Sequence, residues 1–136
     1  MESEKLGEAD VLTADYFYSC LLINEDSLRF RVELLPWQAQ LTPFRDAIMV
    51  HANNDSLPDV LLAGNFYANN MEMGRNDEDY GTVLLNKGNG IFSCESIKGI
   101  HLRGQTRKIR SIKIGGRDAL VLARNNDSTM VVRFRQ

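Results

Sequence analysis

The side chains best suited to chemistry concentrate between residues 67 and 80, the most polar connection in the sequence. A carbohydrate- or peptide-binding surface would use amides and carboxylates to bind hydroxyl groups, and tyrosines such as those flanking this loop for stacking. Loops longer than about 12 residues in a compact domain are usually functional or disordered. We predict a carbohydrate- or peptide-binding surface formed by Asn65, Tyr67, Asn69, Asn70, Arg75, Asp77 and Tyr80. The alternative is a self-packed loop in which Arg75 pairs with a nearby carboxylate.

Catalysis has little support in the sequence. His51 and His101 lie far apart and neither belongs to a nucleophile motif. The pair Asp77 and Asp79 has the residue type used for acid–base hydrolysis of sugars, so a carbohydrate-active hydrolase stays open as an alternative. Such pairs on polar loops are far more often solvated surface, and we predict no enzymatic activity.

Bulk properties exclude several classes of function. With 16 basic and 18 acidic residues among 136, the net charge of -2 does not favour nucleic-acid binding. No apolar run approaches the roughly 20 residues of a membrane-spanning helix. The N-terminus has no apolar signal segment, so a chain complete as given would be cytoplasmic. Cys20 and Cys94 fit no metal spacing and are expected to be buried free thiols, although a disulfide stays open.

Short alternating or apolar runs bounded by turn residues predict an all-β protein with almost no helix. Nine strands are predicted, and their ranges are 16–24, 28–35, 45–50, 59–65, 82–86, 91–97, 107–114, 119–124 and 129–134. The turns 87–90 and 115–116 consist mainly of Gly and Asn, which accept the positive φ of tight hairpins. Neighbouring strands should therefore pair antiparallel.

The chain also repeats itself. Residues 21–30 align without gaps on 83–92, and residues 60–65 align on 120–125. Both offsets are about 60 residues, the size of a four-stranded propeller blade with one long loop. We predict antiparallel four-stranded blades in a partial β-propeller of about two blades, or strands closed into a sandwich-like unit. The predicted divisions are a polar segment (1–13), the end of one blade (14–41), a complete blade (42–99) and an incomplete blade (100–136).

Three groups of residues resemble the FG-GAP/VCBS-repeat family, specifically the C-terminal propeller region of large exported proteins of Bacteroidetes-type bacteria. They are Asp59 to Tyr67 with Gly74-Arg75 and Tyr80-Gly81, then Gly88 to Phe92, and then Ala119 to Asp127. The likeness covers roughly Ala14 to Arg135. It implies integrin-like blades, a cell-envelope or extracellular setting, and no known catalytic activity.

The family's blades often carry a calcium loop of the pattern D-x-N-x-D-G-x-x-D, whose alternating oxygen ligands converge on the cation. The corresponding stretch, residues 51–59, retains Asn53, Asp55 and Asp59 as candidate metal ligands. His51 replaces the first carboxylate and Ser56 replaces the glycine. The loss of an anionic ligand weakens such a site, so we expect no cofactor and a loop held by Asx turns. A bound calcium ion is the alternative.

Together these features predict a non-catalytic binding or scaffolding module of an exported bacterial surface protein. Incomplete blades cannot bury both faces. The expected partners are therefore the remaining blades of a larger propeller or a second copy, with a carbohydrate or protein as ligand. The remaining alternative is a purely structural blade pair without a ligand.

Overall fold

The computed structural model describes residues 12–67, 79–96 and 101–133. Of the residues in these ranges, 47% lie in strands and 4% in helix, and their three antiparallel sheets are not closed into a barrel, so the fold is all-β. The described residues contain nine strands, which divide between the sheets as two, four and three. The predicted all-β, antiparallel fold class is confirmed, and the predicted strands group into sheets in the same chain order.

The first sheet pairs β1 (Cys20–Asn24) with β2 (Phe30–Leu34). A short 3-10 helix, Trp37–Gln40, follows and leads towards the next sheet. Trp37 is 69% exposed, and Ala39 is the buried residue of this turn. One turn of helix presents only one side to the core, and the small residue occupies it.

The middle sheet is a meander of β3 (Asp46–Val50), β4 (Asp59–Ala63), β5 (Thr82–Asn86) and β6 (Phe92–Ser96). The turn between β5 and β6 places Gly88, Asn89 and Gly90 at positive φ. Only residues that tolerate the left-handed region close such a turn without strain. The hairpin predicted from these residues is therefore confirmed.

The third sheet contains β7 (Thr106–Ile114), β8 (Arg117–Arg124) and β9 (Met130–Val132), in that order. Gly115 and Gly116 join the first two strands at positive φ, as their sequence predicts. The register of β7 against β8 shifts between Thr106 and Lys108.

The two central strands of the middle sheet, β4 and β5, are buried on both faces because they are apolar at consecutive positions. Leu61, Val83 and Leu85 pack towards the third sheet, with Ile109 and Leu122. The alternate residues Leu62 and Leu84 pack with Leu21, Leu35 and Ala39 on the opposite side. Side chains of a strand point alternately to its two faces, so β4 and β5 contribute to two cores. The three sheets consequently form a sandwich-like stack.

Polar contacts also join the middle and third sheets. Asp46, at the start of β3, accepts a hydrogen bond from the backbone N–H of Ile109 at 2.9 Å. The backbone N–H of Thr106 donates to the carbonyl of Gly64 at 2.9 Å. A Cβ on Gly64 would lie 2.3 Å from the carbonyl oxygen of Pro43, so the close approach of the segment before β3 requires glycine at this position.

The outward face of the first sheet is apolar and exposed. Leu22 and Val32 are paired across the two strands and are 65% and 50% exposed, and Leu34 on the same face is 56% exposed.

Cys20 and Cys94 are free thiols, and both are only partly buried. Burial raises the pKa of the Cys94 thiol, and the negative charges of Asp79 and Glu95 add to this effect.

Candidate ligand-binding surface

Two loop ends meet where β4 ends and β5 begins, which we call the upper edge of the middle sheet. Asn65 and Tyr67 follow β4, and Asp79 and Tyr80 precede β5. Because β4 and β5 are antiparallel neighbours, the sheet itself brings these residues together. The upper edge therefore carries the predicted ligand-binding residues that the structure describes, Asn65, Tyr67 and Tyr80.

Reciprocal hydrogen bonds join the loop ends through Asn65 and Asp79, a pair that we call the Asn65–Asp79 clasp. The Asn65 Oδ1 accepts from the backbone N–H of Asp79 at 2.9 Å, and the Asn65 Nδ2 donates to the Asp79 carbonyl at 2.8 Å. The Thr42 hydroxyl also donates to this Oδ1. Asn65 is fully buried, so its side chain holds the loop ends and is not on the surface where we predicted ligand contact.

The Asp79 carboxylate is equally occupied within the protein. Its Oδ2 accepts from the backbone N–H of Gly64, and its Oδ1 accepts from the N–H of Gly81 and the hydroxyl of Thr82. Burial raises the pKa of Asp79, although these three donors act in the opposite direction. A buried carboxylate with both oxygens hydrogen-bonded is suited to fixing a loop, because neither oxygen is exposed to a substrate.

Tyr80 lies on the surface beside the clasp. Its ring is 41% exposed and contacts His101 edge-to-face, with 6.2 Å between the ring centroids. The Arg103 guanidinium lies over the same ring, 5.2 Å from its centroid. The backbone N–H of Leu102, which is buried, donates to the Tyr80 carbonyl at 3.0 Å. This bond ties the segment carrying His101 and Arg103 to the upper edge.

A second cation–aromatic pair occurs at the other loop end. The Arg45 guanidinium lies 5.2 Å from the ring centroid of Phe66, and the Arg45 N–H donates to the Ala63 carbonyl at 3.0 Å. Tyr67 is half-buried next to Phe66. Sequence reasoning did not select Arg45, His101 or Arg103, because each is distant in sequence from the aromatic ring that it contacts.

The remaining predicted ligand-binding residues, Asn69, Asn70, Arg75 and Asp77, lie outside the described residues. The side chains described at the upper edge that form cation–aromatic and ring contacts are Arg45, Phe66, Tyr80, His101 and Arg103. We call them the aromatic–arginine surface.

The candidate calcium loop lies at the opposite edge of the middle sheet, between β3 and β4. The two oxygens of Asp59 accept from the backbone N–H groups of Ala52 and Asn86. Those of Asp55 accept from Asn53 Nδ2 and from the N–H of Leu57, and Asn53 Oδ1 accepts from the N–H of Asp55.

Each of these candidate oxygens accepts a hydrogen bond from a donor of the chain. Ser56 has a φ of 66°, which is the left-handed conformation that the family pattern assigns to glycine. Across the described parts of the chain, no group of three His, Cys, Asp or Glu residues is arranged to hold a metal. The geometry is that of a loop closed by its own Asx turns.

Two basic side chains of β7 help to join the middle and third sheets. Arg110 and Lys108 lie 3.3 and 3.8 Å from the Asp46 carboxylate. Burial acts to raise the pKa of Asp46, but the N–H groups of Ile109 and Ala47, together with these two cations, hold it below its usual range. These two side chains serve an internal contact.

No known protein family, curated protein or solved structure matches this chain. No helix within the described ranges is long and apolar enough to span a bilayer.

Proposed function

We propose that this chain is a non-catalytic binding module whose ligand-contact region is the aromatic–arginine surface. The observation that carries the proposal is Tyr80, which is exposed, flanked by His101 and Arg103, and placed by the buried Asn65–Asp79 clasp. Exposed aromatic rings on a rigid support provide contact area at a low cost in conformational entropy. The described acidic residue of the same loop, Asp79, is buried, which favours binding over hydrolysis.

We also propose that the module belongs to a β-propeller of the FG-GAP/VCBS kind in an exported bacterial surface protein. Two features support this proposal. The sheets contain two, four and three strands in chain order, and the middle sheet packs face to face with a sheet on each side. The exposed apolar face formed by Leu22, Val32 and Leu34 is where a preceding blade or a second copy would pack. Localisation outside the cell follows from the family resemblance.

The binding proposal is tested by screening the full chain against arrays of glycans and peptides. We expect a ligand whose affinity falls at least tenfold in Tyr80→Ala, with the fold checked by circular dichroism. Tyr18→Ala is the matched control because Tyr18 is also exposed, at 64%, but lies next to the first sheet. Equal binding by Tyr80→Ala and the wild type would overturn the assignment of the surface.

The rival enzymatic function is tested in parallel with the same glycans. Turnover of any of them that is lost in Asp77→Asn would replace the binding proposal with a hydrolase. Scaffolding is tested by size-exclusion chromatography with light scattering. A stable monomer whose apolar first-sheet face stays exposed would contradict the proposed packing of a further blade or copy on that face.

A further inference from the structure

Two arginines of the aromatic–arginine surface are held on aromatic rings and have no carboxylate partner among the residues that the structure describes. In the described part of the chain, the arginines that form ion pairs are Arg31, Arg110 and Arg124. Arg45 and Arg103 are exposed and instead lie over Phe66 and Tyr80. An arginine stacked on a ring retains the N–H donors along its edge, and these match a carboxylate in two parallel hydrogen bonds.

The clasp fixes these two pairs relative to each other. Phe66 follows Asn65 directly and Tyr80 follows Asp79 directly, and those two clasp residues are hydrogen-bonded in both directions. The backbone of Arg103 is held as well, because its carbonyl accepts from Arg124 Nη1 at 3.0 Å. The guanidinium groups are therefore attached to a rigid support, which lowers the entropy lost when an anion binds.

We propose that this surface binds an acidic polysaccharide built from uronic acid units; this inference rests on the proposed binding function. Each unit of such a polymer carries a planar carboxylate for an arginine and a face of C–H groups for an aromatic ring. The exposed ring of Tyr80 has the Arg103 guanidinium over it and His101 in edge-to-face contact with it, so a ring and a cation are both present at this site. An acidic peptide supplies carboxylates on flexible side chains, whose ordering costs more, and is therefore the less favoured ligand.

The test is isothermal titration of the full chain with an oligomer of galacturonic acid, its methyl ester and a neutral galactose oligomer. We expect the acid to bind at least tenfold more tightly than either neutral oligomer, with an affinity that falls as salt is raised. Arg103→Gln and Arg45→Gln should each weaken binding severalfold. Arg117→Gln is the matched control, since Arg117 is exposed at the hairpin between β7 and β8. This variant should bind the galacturonate oligomer as tightly as the wild type.

The outcomes separate the inference from the function on which it rests. Equal binding of the acid and its methyl ester, or no loss in Arg103→Gln, would overturn the preference for uronate. Tyr80-dependent binding of a neutral glycan would then leave the binding function standing. Tighter binding of a glutamate oligomer than of the galacturonate oligomer would replace the polysaccharide with an acidic peptide. Failure of every glycan and peptide to bind would refute both proposals.

Discussion

Replacing Asn65 with alanine is expected to destabilise the folded protein strongly, although the residue lies in a loop. The side chain is fully buried and bonds both the N–H and the carbonyl of Asp79. A buried polar group that loses its partner costs about 1–3 kcal/mol. Asn65 also has a φ of 74°, and an alanine in the left-handed region costs about 1 kcal/mol. Two unpaired groups and the conformational cost together predict a loss of at least about 3 kcal/mol in the free energy of unfolding.

A second asparagine separates these two contributions. Asn126 has a φ of 58° and is exposed, so Asn126→Ala should lose only the conformational term of about 1 kcal/mol. Asn65→Gly removes the side chain without the backbone strain. Its loss of unfolding free energy should therefore lie between those of the two alanine variants. The difference between Asn65→Ala and Asn126→Ala then measures the hydrogen bonds of the clasp.

Urea denaturation followed by circular dichroism provides the measurement. Equal slopes of unfolding free energy against urea concentration in the variants and the wild type would confirm that the same transition is compared. If Asn65→Ala proves too unstable to purify, Asn65→Gly against the wild type gives the same comparison. A loss in Asn65→Ala within about 1 kcal/mol of that in Asn126→Ala would refute the structural role given to the clasp.

Three further predictions concern the core, the sheet contact and the metal loop. Leu61→Ala, at a fully buried position, should cost about 2–5 kcal/mol in unfolding free energy, whereas Leu22→Ala on the exposed face should cost much less; equal losses would show that this face is covered. The pKa of Asp46 is lowered in the folded state, so its stabilisation is present above the unfolded-state pKa and is lost as pH falls through the folded value. Asp46→Asn should therefore flatten the acid-side fall in the urea midpoint, and Asp118→Asn, at an exposed site, should not; an unchanged pH profile in Asp46→Asn would contradict this. Millimolar calcium in place of chelator should leave the melting temperature unchanged, because both oxygens of Asp59 already accept backbone hydrogen bonds. A rise of several degrees would indicate an occupied calcium site.

Strand pairing followed from local features of the sequence. Apolar runs of strand length were separated by glycine- and asparagine-rich turns, and such turns allow only antiparallel hairpins between adjacent strands. The offset repeats further predicted the division into two, four and three strands, which the sheets confirm. The first strand is shorter than predicted, because Tyr16 to Tyr18 precede the first residue that pairs with β2. Alternation indicates which residues suit a strand, but not where its partner begins.

The sequence predicted which loop carries the proposed ligand-binding surface, but not which residues form that surface. The sequence by itself determined that the longest polar connection joins β4 to β5, and that tyrosines flank it. Tertiary structure decided that Asn65 is buried, that Asp79 fixes the loop ends, and that Arg45 and Arg103 stack on Phe66 and Tyr80. The physical reason is that polar type and turn chemistry act between neighbours in the chain, whereas burial and ring contacts depend on which distant segments the sheets bring to one edge.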